Sequence, residues 1–95
     1  MYIEEFRSPG ALTAEIAEAL AACAAGHTSR ITLAANEHAV NLPVLPWCWA
    51  DLRIEVGTRV TVTAEGGRIA PDREDRHALD EVVARFRALT SGAGG

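Results

Sequence analysis

The chain contains no lysine. All nine of its positive charges are arginines, set against thirteen acidic residues, for a formal net charge of -4. With no basic run anywhere, nucleic-acid binding by phosphate neutralisation is disfavoured. Cysteine is scarce as well: Cys23 and Cys48 are the only two. They form neither a CxxC motif nor a metal-ligand pair, and they read as two partly buried thiols of a reducing cytosol. Long apolar runs are missing. The Ala-rich stretch from Ala17 to Ala25 is interrupted by Glu18 and is too short to cross a bilayer. Met1 to Glu5 has neither the basic nor the apolar region of a signal peptide. A cytoplasmic chain with no membrane association is the expectation. Nor does a nucleophile–base pair, a metal cluster or a phosphate-binding loop appear. Gly66-Gly67 lacks the lysine of a P-loop and reads as a turn. No enzyme activity and no cofactor are expected.

What is present suits one small domain. The chain has 95 residues, 48% of them apolar and 23% charged, in the range of ordinary globular proteins. A chain of this size buries roughly 60–70% of its unfolded surface, enough for a single core. Residues 1–90 are assigned to that domain and 91–95, glycine-rich, to a flexible tail.

Periodicity sets the order of elements. Tyr2 to Arg7 reads as a strand, ended by Ser8-Pro9-Gly10. From Leu12 onward, Leu12, Ile16, Ala19, Leu20 and Cys23 recur at helical spacing. Glu15 and Glu18 fall in its first turns, which suits the positive end of the dipole, and Gly26 stops it. Ile31–Leu33 and Ala39–Leu42 form strands joined at Asn36-Glu37 as a hairpin. The segment from Pro43 to Leu52 has two prolines and is a poor strand; a short helix begins near Pro46. Arg59 to Ala64 alternates as a fourth strand. Asp72 or Asp75 is the expected cap of a last helix, whose stripe is Leu79, Val82, Val83, Phe86 and Leu89. The order βαββαβα favours an α+β open-faced sandwich: a four-stranded antiparallel sheet with three helices on one face.

Four strings then carry a resemblance: Ile31-Thr32-Leu33, Val40-Asn41-Leu42, Val56-Gly57-Thr58-Arg59-Val60-Thr61-Val62, and Ala78-Leu79 in the closing helix. In this order and spacing the chain resembles the bacterial phosphocarrier protein HPr family over roughly residues 6–88. The resemblance implies an HPr-like fold. It also implies a place for the phosphate-carrying histidine, within a Gly-Leu-His-Ala-Arg-Pro pattern ahead of the first helix. The matching string is Ala11-Leu12-Thr13-Ala14-Glu15-Ile16. Thr13 stands for the histidine, Glu15 for the arginine and Ile16 for the proline.

A threonine would give a stable phosphate ester where the family's imidazole gives a reactive phosphoramidate. Glu15 would also repel the phosphate. Like charges about 4 Å apart cost roughly 1 kcal/mol in water and about 4 at an effective dielectric of 20. Taken by themselves, Thr13 reads as a helix N-cap and Glu15 as a dipole complement. His27, His38 and His77 read as ordinary surface histidines. Many HPr proteins carry a regulatory serine after the third strand; Val44 takes that place here.

The resemblance also implies a protein-docking surface at the short second helix, matched by Leu45-Pro46-Trp47-Cys48-Trp49. Positions 47 and 49 of a helix point roughly 200° apart, so one tryptophan is expected in the core and the other on the surface. Leu12, Leu45, Pro46, Trp47 and Trp49 form the candidate patch. The expected function is a non-catalytic adaptor or regulatory protein that docks on a partner protein. The alternative is a phosphocarrier of the phosphoenolpyruvate-dependent sugar phosphotransferase system with an atypical acceptor. The same patch could equally close a homodimer.

Overall fold

Alternation along the chain decides which side of each strand is buried. In the strand Arg59–Glu65, Val60, Val62 and Ala64 are buried while Thr61 and Thr63 are half-exposed. The computed structural model describes residues 1–68 and 70–91, apart from the side chain of Pro71. It shows β1 (Tyr2–Arg7), α1 (Ala14–Ala24), β2 (Arg30–Ala35), β3 (His38–Asn41), α2 (Leu45–Cys48), β4 (Arg59–Glu65) and α3 (Pro71–Ser91). One-turn 3-10 segments, Leu42–Val44 and Trp49–Leu52, flank α2.

The strands lie in the order β1-β4-β2-β3, every pair antiparallel. Register places Phe6 opposite Val60, Val62 opposite Leu33, and Ala64 opposite Ile31. Residues opposite one another share a face, so these six make one apolar surface. The helices cover it. Ala17, Leu20 and Ala24 come down from α1, and Ala78, Leu79, Val82, Val83 and Phe86 from α3. Phe86 meets Phe6 edge-on, with ring centroids 5.5 Å apart, a geometry worth about 0.5–1.5 kcal/mol beyond burial. The expected open-faced sandwich is what forms.

The hairpin between β2 and β3 turns at Asn36 and Glu37, both at positive φ (50° and 69°). Two successive left-handed residues match the right-handed twist of the strands. The Asn36 amide donates to the carbonyls of Leu52 and Arg53 at 2.6 and 3.0 Å. That ties the hairpin to the segment after α2.

Several boundaries differ from the sequence reading. The first helix begins at Ala14, because Thr13 is its cap and Leu12 turns into the core. β3 ends at Asn41, since Leu42 enters a 3-10 turn. α2 is a single turn opening at Leu45, with Pro46 at its second position. Neither Asp72 nor Asp75 caps the last helix, which already begins at Pro71. Instead Asp72 accepts a hydrogen bond from the Tyr2 hydroxyl at 2.7 Å. Buried Asp75 accepts from the Ser29 hydroxyl at 2.6 Å and from Gly67 N–H at 2.9 Å. Together with Glu74, which accepts from both the N–H and the hydroxyl of Thr28, these bonds anchor α3 to the start of β2. Of the expected tail, Ser91 belongs to α3, and 92–95 lie outside the described residues.

One close approach fixes the loop ahead of α1. A Cβ added at Gly10 would overlap the carbonyl oxygen of Thr90 near the end of α3. We expect Gly10→Ala to cost about 1–3 kcal/mol, the usual range for forced overpacking, as read from urea unfolding. At Gly26 the nearest atom to an added Cβ is 3.5 Å away. There the same change should leave the midpoint unchanged or raise it slightly.

Candidate functional site

The mouth of α1 is built by two loops stitched together. Ser8 N–H donates to Thr58 O and Gly57 N–H to Ser8 O, both at 2.8 Å. Leu12 N–H donates to Ile54 O at 3.0 Å. The pairing carries the chain from β1 into α1 and holds it beside the segment that follows α2. At the helix start, Thr13 has extended backbone (φ -124°, ψ 168°), and its hydroxyl oxygen accepts from Ile16 N–H at 3.3 Å. Thr13 is therefore an N-cap that satisfies a backbone donor left free at the helix end. Glu15 is exposed in the first turn and Ile16 is half-buried. Neither presents a positive charge.

Beside the mouth lies a shallow cavity of about 390 Å³. Ala11, Leu12, Trp49, Ala50, Arg53, Ile54 and Glu55 line it. Arg53 was not singled out by the sequence reading. It sits far along the chain, and only its left-handed backbone (φ 47°) at the end of a one-turn helix brings it here. A lone arginine between Leu52 and Ile54 carries no signal of that. No histidine lines this cavity.

The candidate docking residues separate into two groups. Trp47 is 80% exposed, and Val44 beside it is 46% exposed. Trp49 and Pro46 are half-buried, with Trp49 packed against the core and walling the cavity. Leu12 and Leu45 are 4% and 0% exposed. They hold the platform from beneath and are not available to a partner, contrary to the sequence expectation. The reason is the tight turn of the segment: Leu42, Leu45 and Leu52 all point inward, which leaves Trp47 outside.

The histidines lie elsewhere. His38 opens β3 and, with Arg59 and Thr61, lines a recess at the sheet. His27 and His77 meet at the other end of α1, with ring centroids 5.6 Å apart. His27 is not a surface residue; its side chain is 9% exposed. Its Nε2 lies 3.0 Å from Glu81 Oε1, the oxygen that also accepts from the Cys23 thiol at 3.2 Å. His77 Nε2 lies 3.8 Å from Glu81 Oε2. Desolvation and then the hydrogen bond to Glu81 push the Cys23 thiol up to about 11. The hydrogen bonds from His27 and Cys23 hold the Glu81 carboxyl below its ordinary value. The cluster pins α1 to α3 and keeps the thiol protonated. Among the described residues, no group of three or more His, Cys, Asp and Glu side chains is arranged to hold a metal ion. No helix there is long and apolar enough to cross a membrane.

No protein-family model matches the chain, and no curated protein matches it in sequence. Solved structures do. The histidine-containing phosphocarrier protein of a mycoplasma is 25% identical, with a TM-score of 0.67 over 90% of this chain and 97% of that one. HPr-C-His from Thermoanaerobacter tengcongensis is 19% identical, with a TM-score of 0.66 over 90% of this chain and 96% of that one. The chain has the HPr-like fold, a four-stranded antiparallel sheet with three helices.

Two outcomes follow from these contacts. Thr13→Ala should lose about 1 kcal/mol of stability in chemical denaturation, while Thr13→Ser keeps most of it. Glu81→Gln should speed iodoacetamide labelling of Cys23 at about pH 8.5 several-fold, because the carboxylate's share of the thiol's upward shift disappears. Glu81 is lowered in the folded state, so its carboxylate stabilises the fold above its unfolded value of 4.5. That contribution is lost as pH falls through the folded value. The stability gap between wild type and Glu81→Gln should therefore be largest near neutrality and close in acid.

Proposed function

We propose that this HPr-like chain is a non-catalytic adaptor or regulatory protein, docking on a partner protein through the surface beside the starts of α1 and α2. Its fold relates it to the phosphocarriers, whose fold is not that of an enzyme family as such. A fold alone assigns no activity, so the reading rests on the site. The observation that carries it is Trp47. Every leucine of the segment from 42 to 52 is buried, yet this indole is 80% exposed. Large exposed aromatics on a rigid platform are the usual anchors of protein interfaces.

The chemistry of the mouth supports the same reading. The Thr13 hydroxyl is engaged in capping, Glu15 adds negative charge where a phosphate would sit, and no imidazole lines the adjoining cavity. The partner is an enzyme or regulator of the cytoplasm, and no cofactor takes part.

Incubation with phosphoenolpyruvate and Enzyme I of the phosphotransferase system should leave no acid-labile phosphate on the chain. Label on His27, His38 or His77 would restore the carrier reading. Trp47→Ala should weaken partner binding by at least tenfold, the effect of losing an interface anchor, with an unchanged unfolding midpoint.

A further inference from the structure

The docking face has a charge as well as an anchor. Glu15 and Glu18 are exposed on α1, Asp51 is exposed beyond α2, and Glu55 is exposed at the cavity rim. Among the described residues, none of these four carboxylates forms an ion pair or a side-chain hydrogen bond. Elsewhere Glu4, Glu5, Glu65 and Glu81 each sit within 4 Å of an arginine or histidine nitrogen, whereas exposed Glu37 and Asp80 are unpaired like the four acids of this face. Among the described residues that line the cavity, the one cation is Arg53. α1, which carries Glu15 and Glu18, packs against α2 and both flanking turns; Asp51 follows Trp47 by four residues, and Glu55 lines a cavity with Trp49, so the acids lie on the elements that adjoin Trp47.

From this juxtaposition we propose that the occupant of the Trp47 face is a protein whose own docking surface is cationic: an indole-sized apolar recess rimmed by arginine or lysine. The inference rests on the docking reading above and adds the partner's chemistry. Uncompensated carboxylates around an apolar anchor repel anything of the same sign. A second copy meeting this face with its own would bring the same four acids against their equivalents, because a two-fold interface is self-complementary. Nucleic acid and anionic lipid surfaces are excluded on the same ground. A cationic rim instead gains steering from these charges, felt mainly in the association rate, while the indole slows dissociation by filling its recess.

The test installs a photo-cross-linking amino acid at Pro43 or at Ala50, both exposed on this segment, in the full chain expressed in its own cells. A control carries it at Thr63, on the uncovered side of the sheet. The captured protein is purified and its binding measured between about 50 and about 500 mM NaCl, a range over which screening strengthens severely. We expect cross-linked peptides rich in arginine and lysine, and a dissociation constant at least tenfold weaker at the high-salt end. The variant Glu15→Gln/Glu18→Gln/Asp51→Asn should lower the association rate about tenfold and flatten the salt dependence. Trp47→Ala should instead raise the dissociation rate.

Binding that is indifferent to salt and to the three neutralised acids, yet lost with Trp47→Ala, would overturn the cationic partner and keep the docking reading. Cross-links only from the sheet control, none at all, or binding unchanged in Trp47→Ala would overturn both. Cross-links between two copies of this chain would also overturn the proposal. Circular dichroism of each variant separates these outcomes from misfolding.

Discussion

The antiparallel sheet has one apolar face, and the rest of the molecule follows from the need to cover it. Phe6, Val60, Val62, Leu33, Ile31 and Ala64 are contributed by three strands, and only the exact pairing of those strands puts them on one side. A slip of one residue in any ladder would turn its apolar set outward. α1 and α3 supply the cover, and the register fixes where each must start. α1 must therefore begin beside the loop that leads into β4, which is where the backbone bonds of Ser8, Leu12, Ile54 and Gly57 bring it. The mouth of α1 is thus a product of sheet geometry, whatever side chains occupy it.

At that place, the side chain decides what the backbone can do. Helix starts offer unpaired N–H groups to anions, and here one of those donors is taken by Thr13 itself at 3.3 Å. A hydroxyl that caps a helix gives up part of its hydrogen-bonding capacity to stability. It also lacks the ring nitrogen on which a transferable phosphate rests. Arg53 returns a positive charge to the neighbourhood, with Glu55 on the same cavity to oppose it. The histidines are committed elsewhere or distant in the fold. His27 and His77 face Glu81 at the opposite end of α1.

How much of this was legible in the sequence depends on the range of the interactions. β4 was readable because alternation is a local signal, and β1 because its aromatic and β-branched residues run up to the break at Ser8-Pro9-Gly10. The hairpin was readable because Asn36-Glu37 separates two apolar runs. Thr13 as a cap was readable too, since capping involves only its near neighbours. What stayed hidden was set by partners distant along the chain. Asp75 looks like a cap in sequence, but its bonds to Ser29 and Gly67 are decided by how α3 meets β2. His27 looks like a surface histidine, but Glu81 and the flank of α1 enclose it. Leu45 and Trp47 are two apolar residues of one short segment. Only the phase of a single helical turn between two 3-10 segments sends the first into the core and the second into water.

That phase leaves the molecule with an unusual expense. An indole left in water forgoes the roughly 1.5–3 kcal/mol that burying a large apolar side chain is worth. In a domain of this size, with a stability of about 5–15 kcal/mol at best, such a loss is appreciable. Together with Val44, which is 46% exposed, the indole also leaves apolar surface open to a second copy. Under the proposed acidic rim, the unpaired carboxylates oppose such pairing, because a two-fold contact through this face brings like charges together. The burial energy is therefore withheld from self-assembly and remains available to a partner of opposite sign. On this reading Glu15, which offers a phosphate no counter-charge, also contributes to the acidic rim. One residue would then bear both on whether a phosphate can sit at the mouth of α1 and on the choice of what docks beside it.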